Sequence, residues 1–244
     1  MTLGPGTVTL IESMAIQCYL RGLRSTPNLK VTAMADELVF YTNPMSRGRM
    51  VHWMLEETGA PYRVELINFD KGEHKQPAFL AVNPMGKLPA LVHRGTVITE
   101  TGAIIAYLAD AFPAAGLAPA LNDAKRGAYL RWMFYAAGCV DPAIIDRMLA
   151  RPVPERTGAV GYGKYEHVLD TLGKALTPGP YLLGERFTAA DLYIAAELNF
   201  GIMTKAFEPR PVFVAYLARM AERPGQIRAN KQAEELTARL KALS

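Results

Sequence analysis

Leu38-Val39-Phe40-Tyr41 is a short β-rich run closed by the turn formers Asn43-Pro44, and from Ser46 to Glu57 the apolar residues fall at helical spacing. The stretch predicts strand, turn and helix in immediate succession. Gly59-Ala60-Pro61 stops the helix, and Tyr62-Arg63-Val64-Glu65-Leu66-Ile67 alternates as a second strand. Strand, helix and strand joined this tightly form a βαβ unit, which crosses over right-handed. Further along, a polar loop leads to a short helix near Pro77 to Val82. Leu88-Pro89-Ala90-Leu91-Val92 and Thr96-Val97-Ile98 are then strands joined through Arg94-Gly95, where glycine supplies the positive φ of a tight hairpin. Ile104, Ile105, Leu108 and Ala111 mark a helix from Thr101 to Ala111.

The order βαβ-α-ββ-α, with short connections, predicts a thioredoxin-like domain over residues 37–111. A linker rich in Pro, Ala and Gly over 112–121 leads to residues 122–244, which carry no strand pattern and predict an all-helical domain. Helices are expected near 122–150, 157–177, 188–204 and 211–222, with one more toward the C-terminus. The expected fold class is α/β plus all-α. Upstream of the first strand, Gly4, Pro5, Gly6 and Pro27 punctuate a stretch without helical or strand period, and Met34-Ala35-Asp36-Glu37 stands before the strand as a natural start would. Residues 1–36 are expected to be an extension outside the fold.

A chain of 244 residues, 50% hydrophobic and 20% charged, can bury a full core. The formal charge of +4 comes from scattered Lys and Arg, so no nucleic-acid stripe is visible. Cys18 and Cys139 are too few and too far apart for a disulfide framework, a zinc site or a Cys-x-x-Cys redox centre, which suits a reducing cytoplasm. No apolar run approaches the roughly 18 residues of a membrane span. Glu12, Ser13 and Gln17 interrupt Val8 to Leu20, which makes a poor signal peptide.

Four ordered pieces carry a family likeness: Gly72-Glu73-His74-Lys75, Pro77-Ala78-Phe79-Leu80, Asn83-Pro84-Met85-Gly86-Lys87-Leu88-Pro89-Ala90-Leu91, and Glu100-Thr101-Gly102-Ala103-Ile104. In this order and spacing they resemble the glutathione-binding half of glutathione S-transferases, and the second half resembles that family's helical domain, over about residues 37 to 225. Pro44-Met45-Ser46 followed by Arg49 is similar to the serine-type, bacterial-looking members. Phe187-Thr188-Ala189-Ala190-Asp191-Leu192 resembles the family's capping box, a structural motif in which Thr188 caps a helix, Asp191 reaches back to the Thr188 amide and Phe187 packs on Leu192.

The resemblance implies glutathione as co-substrate, no metal, and a catalytic hydroxyl that stabilises the thiolate, the nucleophilic form. From a thiol pKa of about 8.5, roughly 3% is ionised at pH 7, and a pKa lower by about two units raises this to roughly three quarters. That shift is worth about 2.7 kcal/mol, close to one hydrogen bond to a charged acceptor plus a nearby helix N-terminus. Ser46, between the first strand and the first helix, is the candidate donor; a plain helix cap is its other natural role. Tyr41 is the rival donor, with sheet packing its expected part. Glu100 and Thr101 open a helix and suit the γ-glutamyl end of glutathione. His74, Lys75 and Lys87 match positions near the glycyl carboxylate. The resemblance further implies a cis bond at Leu88-Pro89, with the Leu88 backbone pairing with the cysteinyl peptide.

A small hydrophobic electrophile is expected to lie against the helix with Tyr129, Trp132, Met133, Phe134, Tyr135 and Ala136, though such a stripe is more often core than pocket. Conjugation, as in detoxification, leads; glutathione-dependent isomerisation or peroxide reduction on the same site, or a non-catalytic binding or scaffold role, are the alternatives. The resemblance also implies a homodimer.

Overall fold

The computed structural model describes residues 37–153 and 155–243. The extension expected over 1–36 lies outside the described residues. β1 (Leu38–Thr42) is central in a four-stranded sheet of order β2-β1-β3-β4, which is why its sequence is a continuous apolar run rather than an alternating one. β2 (Arg63–Leu66) runs parallel to β1 at one edge, and β3 (Ala90–His93) and β4 (Thr96–Thr99) follow antiparallel on the other side. In the hairpin between β3 and β4 both Arg94 (φ 52°) and Gly95 (φ 74°) are left-handed, where glycine alone was expected to be.

α1 (Gly48–Thr58) begins two residues later than the periodicity suggests, because Ser46 and Arg47 belong to the turn: the Ser46 amide donates to the Asn43 carbonyl at 2.9 Å. It ends on left-handed Gly59, whose amide donates to Leu55 at 3.2 Å. α2 (Pro77–Leu80) and α3 (Thr101–Ala111) follow as predicted.

Beyond α3 the described chain contains no named strand. The helix expected near 122–150 is one run in three parts: α4 (Arg126–Tyr135), a π-helical segment (Ala136–Val140) and α5 (Asp141–Met148). Pro142 brings no N–H and crowds the preceding turn, and the wider π segment before it accommodates both. α6 (Tyr165–Leu176) starts later than expected, after a short 3₁₀ turn at Thr157–Ala159; Gly158, Gly161 and Gly163 weaken any helix there.

α7 (Ala189–Met203) is buried on nearly all sides, and α8 (Pro211–Ala221) and α9 (Pro224–Leu243) complete the described fold. The Thr188 capping box is formed, and Asp191 is wholly buried, accepting from the Leu182 amide (2.7 Å), the Thr188 amide (2.9 Å) and hydroxyl (2.9 Å), and the Tyr216 hydroxyl (2.9 Å). Phe187 packs toward the first half, 6.3 Å from the Trp53 ring and 3.4 Å beneath the Arg223 guanidinium.

α9 closes against the outer side of α1 through two adjacent glutamates. Arg223 is bidentate on Glu57 at 2.8 Å for both bonds, and the Trp53 indole N–H donates to the same carboxylate at 2.9 Å. Arg228 donates to Glu56 at 2.7 Å, with Tyr62 (2.7 Å) and Gln232 (3.0 Å) on its other oxygen. His52 Nε2 completes this group, 2.8 Å from the Tyr62 hydroxyl and in contact with Gln232 Oε1.

Candidate active site

Strand register collects the candidate residues. Tyr41, Ala90 and Thr99 stand side by side across β1, β3 and β4. The segments that continue from them, Asn43 to Ser46, Leu88-Pro89 and Glu100-Thr101, therefore issue from one end of the sheet, with adjacent strands about 4.8 Å apart.

Asn43 builds the Ser46 corner. Its buried side chain donates to the Ile67 carbonyl at 2.8 Å and accepts the Met45 amide at 2.8 Å, fixing the turn to β2's end. The Asn43 carbonyl accepts the Ser46 hydroxyl at 2.7 Å, and Ser46 Oγ accepts the Gly48 amide at 3.0 Å. Gly48 is required here, since a Cβ would lie 2.1 Å from Thr42 Oγ1 and 2.9 Å from Ser46 Oγ. Ser46 lies one residue before the N-cap Arg47 and takes up the first amide of α1 with its oxygen, and it stays half-buried with exposed Met45 beside it. Tyr41 packs on Phe79 with ring centroids 6.0 Å apart, the sheet role expected of it.

Glu100 is exposed and holds φ at 66°, a left-handed conformation that costs a side-chain-bearing residue on the order of 1–3 kcal/mol. Its carbonyl accepts the Ile104 amide at 2.9 Å, so the amides of Thr101, Gly102 and Ala103 precede the first bond of the helix and form its positive end. The Leu88-Pro89 bond is cis. Gly86, at φ 61°, packs on the His74 carbonyl, where a Cβ would stand 2.9 Å away, and this joins the loop carrying His74 to the one carrying Lys87. His74 lies edge-on to Phe69 at 5.0 Å with Nδ1 enclosed and unpartnered, while Lys75 and Lys87 are exposed. Among the described residues no group of His, Cys, Asp and Glu could hold a metal ion.

The aromatic helix divides. Tyr129, Trp132, Met133 and Ala136 are core, Tyr135 is half-buried, and Phe134 is 73% exposed. A polar link between the halves was not anticipated. Arg47, next to Ser46, donates to Asp141 at 2.6 and 3.2 Å, and its guanidinium lies 3.7 Å over the Phe200 ring. Arg49, which belongs to the serine-type resemblance, is exposed. A concavity of about 460 Å³, lined by His52, Tyr62 and Gln232 among others, contains none of the predicted site residues.

Comparison with known proteins identifies the family. Residues 37–110 match the glutathione S-transferase N-terminal domain and residues 161–224 the C-terminal domain. Glutathione S-transferase GstA of Escherichia coli O157:H7 is 32% identical over 177 residues, 71% of this chain and 87% of its own length. A glutathione S-transferase of Hyoscyamus muticus is 29% identical over 187 residues, 72% and 88% of the two chains. A sphingomonad glutathione S-transferase solved in complex with glutathione shares 28% identity and a TM-score of 0.66, covering 80% of this chain and 98% of its own. Sequence and fold together place the chain in the glutathione S-transferase family.

Proposed function

We propose that the chain binds glutathione, stabilises its thiolate with the Ser46 hydroxyl and conjugates it to a hydrophobic electrophile, a detoxification chemistry carried out in the cytoplasm by a homodimer. Residues 37–111 hold glutathione in this proposal, and residues 122–244 supply the electrophile side. The observation that carries it is the hydrogen bonding of Ser46. The Gly48 amide occupies the acceptor side of Oγ at 3.0 Å, so the hydroxyl proton alone, now on the Asn43 carbonyl at 2.7 Å, has to turn to reach a sulfur. The oxygen stays where it is, and the donor is set before the substrate arrives.

The remaining contacts follow from charge. The positive end of α3 suits the γ-glutamyl carboxylate, and Glu100 suits its ammonium group. Lys75 and Lys87, with His74 beside them, suit the glycyl carboxylate, and the Leu88 backbone suits the cysteinyl peptide.

Titrating the protein with glutathione while following the ultraviolet absorbance of thiolate tests the reading directly. The wild type should form thiolate at pH 7. Ser46→Ala should bind glutathione as thiol and lose about a hundredfold in kcat/KM, the equivalent of about 2.7 kcal/mol. A Ser46→Ala protein that binds glutathione and keeps full activity overturns it. Product analysis with electrophiles and hydroperoxides separates conjugation from isomerisation and peroxide reduction.

A further inference from the structure

Arg47 joins two parts of the molecule. Its backbone belongs to the Ser46 turn, where its carbonyl accepts the Met50 amide at 3.0 Å, while its side chain is held by Asp141 of α5 and Phe200 of α7. One helical turn before Phe200 sits Glu197. It is 1% exposed, and its Oε2 has no hydrogen-bond partner among the described residues. The charges that reach it are those of Asp141 and Arg47. Tyr193, on its own helix, shares the same space and abuts the start of α3, where a Cβ on Gly102 would meet its ring at 3.1 Å; the charge of Glu100 reaches Tyr193 as well.

An ionised carboxylate with a buried oxygen that accepts no hydrogen bond, within the field of a guanidinium already engaged by another carboxylate, is expensive. A neutral acid in the same place leaves Arg47 and Asp141 as a balanced pair. We propose that Glu197 is a positioning residue for the thiolate chemistry set out above, on which this inference rests, acting on Ser46 through Arg47 and Asp141 and doing so only while it carries its proton.

Burial, and after it the charge of Asp141, push the Glu197 carboxyl up to about 8 against the pull of Arg47. At neutral pH the trio therefore sums to zero. When Glu197 gives its proton to solvent on the alkaline side, it competes with Asp141 for Arg47 and sets a negative charge near the corner where thiolate must form. Activity then declines in the range where a free thiol would ionise more readily by itself.

The test is kcat/KM against pH, from about 6 to 10, for the full chain with glutathione and an aryl halide. Wild type, Glu197→Gln, Glu197→Leu and Ser46→Ala are compared, with bound thiolate followed in parallel. Wild type should decline about tenfold or more above about pH 8, and Glu197→Gln should lack that decline. Glu197→Leu should lose about tenfold at neutral pH, mainly in kcat, and Glu197→Gln should recover most of that loss. Asp141→Asn, which removes the neighbouring negative charge, should move the alkaline inflection to lower pH, and it decides the matter if either Glu197 variant fails to fold. Superimposable profiles for wild type and Glu197→Gln, or an unmoved inflection in Asp141→Asn, overturn the proposal while Ser46→Ala inactivity leaves the proposed function standing. A fully active Ser46→Ala overturns both.

Discussion

Replacing Asp191 should cost more stability than any exposed substitution, and the cost can be worked from its partners. The buried carboxylate accepts two backbone amides, Leu182 at 2.7 Å and Thr188 at 2.9 Å, together with the Thr188 and Tyr216 hydroxyls, both at 2.9 Å. In Asp191→Ala the hydroxyls can rearrange, since Tyr216 already lies 3.2 Å from the Asp191 carbonyl, which the substitution keeps. The amides cannot. Two buried, unsatisfied N–H groups cost about 1–3 kcal/mol each, so the loss is about 2–6 kcal/mol, a large part of the roughly 5–15 that holds a folded chain together. Asp191→Asn keeps one carbonyl oxygen, can satisfy one amide, and should lose about half as much. Urea unfolding of the three proteins should show the midpoint falling in the order wild type, Asn, Ala at constant slope. A loss in Asp191→Ala below about 0.5 kcal/mol would refute the reasoning, because the amides would then have found water or each other's acceptors.

Other perturbations separate stability from chemistry. Gly48→Ala improves helix propensity yet drives a Cβ to 2.1 Å from buried Thr42 Oγ1; thermal melting should show a loss of about 1–3 kcal/mol and assays a lower kcat, whereas a stabilised, active protein would contradict the packing. Glu100→Gly relieves the left-handed strain at φ 66° while deleting the carboxylate, so the melting temperature should hold or rise as the glutathione KM climbs about tenfold or more. For His52, burial, opposed by its bond to Gln232, lowers the folded pKa below the ordinary 6.5. The unfolded chain therefore binds the proton first, and stability, full above about pH 6.5, should fall as pH drops through the lowered value. His52→Asn should flatten that acid limb in urea midpoints measured across pH.

Much of the fold was legible because its signals are local. Val39-Phe40-Tyr41, the Gly59 stop and the Thr101 helix start each lie within a few residues of what they control. The Ser46, Leu88 and Glu100 segments were tied to one ligand only through the family resemblance, and strand register brings the three to one end of the sheet. The misses share a different origin. Arg47 finds Asp141 across 94 residues, so nothing nearby separates it from Arg49. Glu56 and Glu57 resemble a solvated helix end, yet both side chains are nearly buried, with exposures of 9% and 8%. Glu197 did carry a signal. It is the one acid besides the capping Asp191 in Ala-Ala-Asp-Leu-Tyr-Ile-Ala-Ala-Glu-Leu, where the helix is apolar all round, and such an acid is buried and therefore constrained.

The α1–α9 closure has a consequence in the order of synthesis. Glu57 and Arg223 are 166 residues apart, and Glu56 and Arg228 are 172. When α1 leaves the ribosome its two carboxylates lack Arg223 and Arg228, and they go on lacking them while every intervening helix is made. The sheet can assemble early from neighbouring segments, but its first helix stays unfinished on one side, so the nascent glutathione half is a weaker object than the mature one. A ribosome stalled before residue 223 would hold a chain with all its proposed glutathione contacts and a loose helix beneath Ser46. Closure of α1 therefore waits on residues made 166 and 172 positions after it.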